Sequence, residues 1–376
     1  MRSPIGAAGA ILGAVLATHA AAAGIEYDLQ PIGTVDSDTP TSVAAAINRR
    51  GDVAGTVGGR PFLYHHGKMT RLAAPGAEDA GALAMNDRGM IVGFLVDARA
   101  RRAAIWQGRA LRAIVPRSGA GYATAFGVNR HNVVVGGASA NDGDAATVRA
   151  FLWRHGTMHG LGTLGGAASV ALDVNDAAVV VGSAQLPGDD VTHAFRWQDG
   201  AMIDVDPLGG AFSQALAVDG AGDIAGNGQG PDGESVAFLR RAGGDVVVLD
   251  ALPGGNATPN DVADDGTVVG ESSLAAAADP HALRWRDGVA EDLNDLIPPG
   301  TGWVLRSARA VNARGAIACE ASLPGPSGDE RIVAVLLTPR QRASKPPHDG
   351  PPHGKPPHGK HPPHGKHAAA PRSPGR

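Results

Sequence analysis

Val174-Asn175-Asp176-Ala177-Ala178-Val179-Val180-Val181-Gly182, then His193-Ala194-Phe195-Arg196-Trp197, then Met202-Ile203-Asp204-Val205-Asp206-Pro207-Leu208-Gly209-Gly210, form one copy of a unit that recurs along the chain. In its first part an Asn or Asp stands seven residues before a Gly. That spacing appears as Asn48/Gly55, Asn86/Gly93, Asn129/Gly136, Asn175/Gly182 and Asp219/Gly226, and in degenerate form as Ala263/Gly270 and Asn312/Cys319. Successive copies begin 38, 43, 46, 44, 44 and 49 residues apart, close to the ~40–50-residue period of propeller blades.

Each part of the unit has a physical reading. Small, Ala-rich runs such as Ala44–Ile47 and Ala82–Met85 precede the Asn. Such side chains suit an innermost strand, where repeats crowd around an axis. An Asn can bond its own backbone and a nearby Gly accepts positive φ, so Asn-x-x-Gly supports a tight turn. The Val/Ile run up to the next Gly reads as a buried strand. The Phe-x-Trp segment alternates faces, and Gly67, Gly156, Gly200 and Gly288 mark the turn into a last strand. Four antiparallel strands per unit and seven units result.

The third part is permuted. One copy, Leu29–Val35, precedes the first repeat, and none follows the last. This predicts an all-β, seven-bladed propeller of four-stranded blades, in which Leu29–Val35 supplies the outer strand that the last repeat lacks. An open solenoid of the same units is the alternative. With 54 Gly in 376 residues, about twice the ordinary share of roughly 7%, many short strands and tight turns are expected.

The ends read differently from the repeats. Arg2, the apolar run Ile5–Leu16 and small residues up to Ala23 read as a signal peptide over 1–23, cleaved after Ala20 or Ala23. The repeats occupy 24–339, and 340–376 is a low-complexity tail expected to be disordered. A periplasmic or extracellular location follows as an expectation. No later segment has the ~20 apolar residues of a membrane-spanning helix. Cys319 is the only cysteine. It stands where the other repeats carry Gly, and is read as a buried small residue.

The repeats resemble the HAF family of extracellular repeats, named for His-Ala-Phe followed by Leu-Gly-Thr-Leu-Gly-Gly. Arg149-Ala150-Phe151-Leu152-Trp153 with Leu161-Gly162-Thr163-Leu164-Gly165-Gly166 is the best local match, and His193-Ala194-Phe195 carries the motif letter for letter. The resemblance covers about residues 27–339 and is weakest in the first two repeats and the last. It implies an exported bacterial protein without a defined activity and carries over no catalytic residue.

Three candidate chemistries remain. Loops between the second and third strands carry Asp142, Asp144, Asp189, Asp190, Asp232, Glu234, Asp329 and Glu330. Antiparallel connectivity puts these loops on one face, where carboxylates can take Ca²⁺ or a basic partner; solvated loop tips are the plainer reading. The tail carries His348, His353, His358, His361, His364 and His367 between Pro-Pro pairs. Neutral imidazoles there can bind Zn, Ni or Cu. The tail's net charge of +7 against −11 for the rest also suits an anionic surface or polyanion. His193 and His281 recur at equivalent repeat positions, which points to structure rather than catalysis.

No phosphate-loop Lys-Ser/Thr follows Gly162–Gly166, and neither Gly-x-Ser-x-Gly nor His-Glu-x-x-His occurs. No cofactor is required, and no specific nucleic-acid binding is expected. The reading that follows is a non-catalytic exported binding protein with an unknown ligand. A glycan-acting hydrolase or lyase on a propeller scaffold, and a metal-buffering protein, are the alternatives.

Overall fold

A computed structural model describes residues 26–32, 41–98, 100–114, 121–139, 147–273, 279–324 and 330–340. The chain divides into two units, Met1–Arg340 and Gln341–Arg376. The second unit, with all six tail histidines, lies outside the described residues, as do the leader segment and Asp142, Asp144 and Asp329. Among the described residues, no helix is long and apolar enough to cross a membrane.

Among the described residues of the first unit, 28 strands form seven four-stranded antiparallel sheets. Blade 1 holds β2 (Ser42–Ile47), β3 (Val53–Val57), β4 (Arg60–His65) and β5 (Lys68–Arg71). Blade 2 holds β6 (Asp79–Met85), β7 (Met90–Val96), β8 (Arg101–Gln107) and β9 (Ala110–Ile114). Blade 3 holds β10 (Tyr122–Val128), β11 (Val134–Ser139), β12 (Arg149–Arg154) and β13 (Thr157–Gly162). In blade 4 are β14 (Ser169–Val174), β15 (Val180–Gln185), β16 (Thr192–Gln198) and β17 (Ala201–Asp204). In blade 5 are β18 (Ser213–Val218), β19 (Ile224–Gln229), β20 (Ser235–Arg240) and β21 (Val246–Leu249). Blade 6 comprises β22 (Ala257–Val262), β23 (Val268–Ser272), β24 (His281–Arg286) and β25 (Val289–Asp292). Blade 7 comprises β26 (Val304–Val311), β27 (Ile317–Pro324), β28 (Glu330–Pro339) and, from the other end of the chain, β1 (Tyr27–Pro31).

The expected closure is present. β1 runs antiparallel to β28, with Tyr27 opposite Pro339 and Pro31 opposite Val335. Blade 1 then packs on blade 7: Ile32, Ala44, Val53 and Phe62 share one buried cluster with Ala310, Ala318, Ala334 and Leu336. The solenoid alternative is thereby excluded. The closing strand begins two residues before the expected Leu29, and Tyr27 explains the shift. Its ring is buried with Leu293, Leu296 and Val335, and its hydroxyl accepts a bond from Arg284 Nη1 at 2.9 Å.

The core lies between blades rather than within them. Val135, Ala150 and Leu152 of blade 3 pack with Ala171, Val180 and Phe195 of blade 4. No blade can bury its faces alone, which is why such units stack. Each buried Phe contributes roughly 1.5–3 kcal/mol relative to exposure. Phe62, Phe151, Phe195 and Phe238 lie directly across from Gly55, Gly136, Gly182 and Gly226 on the neighbouring strand. A Cβ at Gly182 would sit 2.0 Å from the Val170 carbonyl oxygen and 3.0 Å from Phe195 Cε1, so the recurrent Gly makes room for both. In blade 7 the pair becomes Cys319 opposite Val335: a larger residue on one strand faces a smaller one on the other. Cys319 is buried, as expected, and burial pushes its thiol pKa up, away from reactivity.

The hairpins into the outer strands follow their sequence signal. Asp199 (φ 52°) and Gly200 (φ 91°) both adopt the left-handed region between β16 and β17, the two-residue turn whose twist matches a hairpin. One feature is not foreshadowed by the repeat. Every innermost strand carries a bulge, such as the register shift between Ala171 and Asp173 in β14.

Candidate functional site

The turns that join first to second strands converge around the axis at one face. They surround a cavity of about 250 Å³ to which all seven blades contribute. The recurrent turn residue, Asn in five blades, Asp219 in blade 5 and Ala263 in blade 6, builds this rim. Asn175 Oδ1 accepts the N–H groups of Ala177 and Val179, both at 3.0 Å, closing its own turn. Its Nδ2 donates to the backbone carbonyl of Asp219 in the next blade at 2.8 Å. Asn86 reaches Asn129 in the same way (2.8 Å), Asn129 reaches Asn175 (2.9 Å), and Asn312 reaches Asn48 across the closure (2.9 Å). The repeated Asn is therefore a clasp between blades as well as a turn residue. Only the turn role was read from the sequence.

A second set of links uses the position after the Asn. Asp87 Oδ1 accepts the Arg49 N–H at 2.7 Å, Asp176 the Arg130 N–H at 2.9 Å, and Asp264 the Gly220 N–H at 2.9 Å. The Arg49–Asp87 and Arg130–Asp176 side chains also pair, at 3.6 and 3.3 Å, while largely exposed. Exposed pairs of this kind contribute little stability, so the rim's charges remain open to solvent and to a ligand.

Asp173 and Asp261 lie on the innermost strands, each just past the bulge. Asp173 accepts N–H groups from its neighbour Val174 (2.8 Å) and from Val218 of the next blade (2.9 Å). Asp261 does the same with Val262 and Val311, both at 2.8 Å. Burial pushes the Asp173 carboxyl up to about 6, against the lowering effect of its N–H donors. For Asp261 burial, with the charge of Asp173 adding to it, pushes the value up to about 7. Asp173 lines the cavity. Neither residue was singled out from the sequence. The available signal was that the other repeats carry Ala46, Ala84, Gly127, Ala217 and Ala310 at this register position.

The sequence-selected acidic loops are elsewhere. They join second to third strands, so antiparallel connectivity puts them on the face opposite the axial rim. None of the described acidic-loop residues lines the axial cavity. Asp189 (φ 65°) turns its Oδ1 onto the Ala167 N–H at 2.5 Å, closing a loop on the preceding interblade connection. Glu330 pairs with Arg306. Asp190, Asp232 and Glu234 are exposed. Among the described residues no three His, Cys, Asp or Glu side chains gather to hold a metal ion.

The repeat histidines have structural partners. His193 Nδ1 meets Asp204 Oδ2 at 2.7 Å and its Nε2 meets the Gly210 carbonyl at 3.2 Å. His281 meets Asp292 in the same way at 2.6 Å. At His193 burial disfavours the charged ring, but Asp204 and the Gly210 carbonyl outweigh it and hold the imidazole above its ordinary value.

No family model and no curated protein matches the chain. Solved structures do. A chain of a mitotic checkpoint complex is similar at 12% identity and a TM-score of 0.50, over 89% of this chain and 100% of that one. An acylaminoacyl peptidase from Pyrococcus horikoshii is similar at 12% identity and a TM-score of 0.48, over 79% of this chain; the match spans about half, 53%, of the peptidase. A putative TolB from Agrobacterium tumefaciens is similar at 10% identity and a TM-score of 0.41, over 84% of this chain and 98% of that one. At such identities the likeness is one of fold: the chain is a β-propeller.

Proposed function

We propose that this is an exported, non-catalytic binding protein of the HAF-repeat type, and that its ligand sits at the axial rim of Asn turns. One observation carries the reading: this cavity is lined by all seven blades and ringed by solvent-exposed charges, Arg49, Asp87, Arg130, Asp176 and Asp264. A cavity of about 250 Å³ takes a small polar group or the tip of a larger ligand. The acidic loops of the opposite face are a second, weaker candidate, because their described carboxylates do not converge.

The test is hydrogen exchange of the full-length protein against a panel of glycans, peptides and divalent cations. Protection confined to the turns at Asn86–Asp87, Asn129–Arg130 and Asn175–Asp176 supports the rim. Protection at 186–191 and 230–234 instead moves the ligand to the other face. No protection by any class sinks the reading. Export is checked by sequencing the N-terminus of protein recovered outside the cytoplasm, expected to begin after Ala20 or Ala23.

A hydrolase or lyase reading rests on Asp173 and Asp261, two axial carboxyls pushed up to about 6 and 7. Such values suit a general acid. Against it, both oxygens of each carboxylate already accept backbone N–H groups, a clasp rather than a poised acid. Cleavage of any glycan by the wild type, lost in Asp173→Asn, would reverse that judgement.

For the tail, the proposal is capture of Zn, Ni or Cu by the imidazoles of His348 to His367, with attachment to anionic surfaces through its basic residues. Zn²⁺ titrated calorimetrically into the full chain should bind, and into a chain ending at Pro339 should not. Equal binding to both chains removes the metal role from the tail, and the metal-buffering alternative with it.

A further inference from the structure

A cavity of about 490 Å³ opens on the outer side of blade 6. Its walls are β25, the 3-10 turn Leu293–Leu296 that follows, and Asp250–Pro253, which carry the chain from blade 5. Leu252, Pro253 and Ala290 give it an apolar lining. At its mouth Val289 is 48% exposed, and on the abutting end of β21 Val248 is 58% exposed and Val246 41%. The two strands meet there: the Asp250 N–H donates to the Gly288 carbonyl at 3.0 Å. An aliphatic strip this open, running into a cavity, is unusual for a surface that faces only water.

The charge around it is predominantly negative. Four carboxylates, Asp250, Glu291, Asp292 and Asp295, line the cavity against a single guanidinium, Arg286. Glu291 is engaged by the buried Arg284 and Asp292 by His281, while Asp250 and Asp295 are exposed. β25 is the outermost strand of its blade and pairs only with β24. Its free edge therefore offers main-chain donors and acceptors to an extended chain.

We propose that this groove docks an extended cationic segment of another protein. One aliphatic side chain of that segment enters the cavity, Lys or Arg residues flank it over Asp250 and Asp295, and its backbone runs along β25. The same carboxylates argue against a second copy of this chain as the occupant, since two such grooves brought face to face would set acid against acid. The site is separate from the axial rim and does not depend on what binds there.

The experiment is fluorescence anisotropy on the full-length protein, using labelled Lys-Lys-Leu-Lys-Lys, Lys-Lys-Ser-Lys-Lys and Glu-Glu-Leu-Glu-Glu peptides. The Leu-containing Lys peptide should bind. The Ser peptide should bind more weakly and the Glu peptide not at all. Replacing both exposed carboxylates (Asp250→Asn with Asp295→Asn) should weaken the Lys-Leu peptide by about tenfold, the effect of two surface charge contacts. Glu78→Gln with Asp199→Asn, exposed carboxylates on other blades, should leave it unchanged. No saturable binding at millimolar peptide, or equal losses in the two double variants, overturns the proposal. So does a dimer in sedimentation that Val289→Lys dissociates, which would give the groove to a second copy.

Discussion

Gly182 and Cys319 fill the same slot in different blades, and their partners, Phe195 and Val335, compensate in volume. Substitutions there should destabilise for opposite reasons, crowding in one blade and a void in the other. Gly182→Ala forces a Cβ against the Val170 carbonyl and should cost about 3 kcal/mol in urea unfolding. Cys319→Gly opens a void beside Val335 and loosens the unfolded chain, for a loss of about 2 kcal/mol. If Cys319→Gly is neutral, the volume exchange is not what holds blade 7. Asp173 and Asp261 make a pH prediction. Their folded values, about 6 and about 7, lie above the ordinary 3.8. A raised carboxyl stabilises the fold below its unfolded pKa and loses that contribution as pH rises through the folded value. The protein should therefore melt several degrees higher at pH 5 than at pH 8 through these groups. The variant Asp173→Asn with Asp261→Asn should be less stable overall, having placed an amide N–H₂ where an acceptor is needed. The slope between pH 5 and pH 8 should nonetheless flatten; an unchanged slope would show that other groups set it.

At the scale of the strand and turn, two devices join neighbours. The Asn clasp divides into a turn function and an interblade function, and Asp219 shows nature's separation of them. Its carboxylate closes the turn through Ala221, Gly222 and Asp223 N–H groups but has no amide to give the next blade. Asn175→Asp should thus cost about 1 kcal/mol, one hydrogen bond, while Asn175→Ala should cost two to three times as much by chemical denaturation. The other device is the β1 latch. Arg284, only 1% exposed, bonds Glu26 just before β1, Tyr27 of β1 and Glu291 of its own blade. Deleting 24–37 should lower the melting temperature sharply, and a synthetic peptide of that span should restore part of the loss. An unchanged melt, or no response to peptide, would mean the ring holds without its latch.

For the molecule as a whole, what was legible was what repeats. Five Asn-or-Asp/Gly spacings, two degenerate copies and the displaced segment Leu29–Val35 were enough for blade count, strand order and closure, because periodic features average out local ambiguity. The bulges were not legible, since an extra residue in an Ala-rich strand leaves no compositional trace. The acidic loops selected from the sequence lie on the face opposite the axial cavity. Acidic loops such as Asp189–Asp190 draw attention because they break the repeat, whereas the rim is built from the very Asn residues that define it. Asp173 and Asp261 could have been found as departures from an Ala/Gly register, but their approach across an intervening blade is a property of the closed ring alone.

The latch has a temporal consequence. Asp28 and its partner Arg340 are 312 positions apart, so of the described strands the first to be made, β1, pairs with the last, β28. Six blades can assemble as they are synthesised, yet the seventh waits until β28 has been made. A chain stopped before β28 is left with β1 unpaired and two unmatched blade faces. Synthesis through β28 is thus built into the geometry as a checkpoint, and products terminated before Glu330 should be cleared by proteases while chains that include β28 persist.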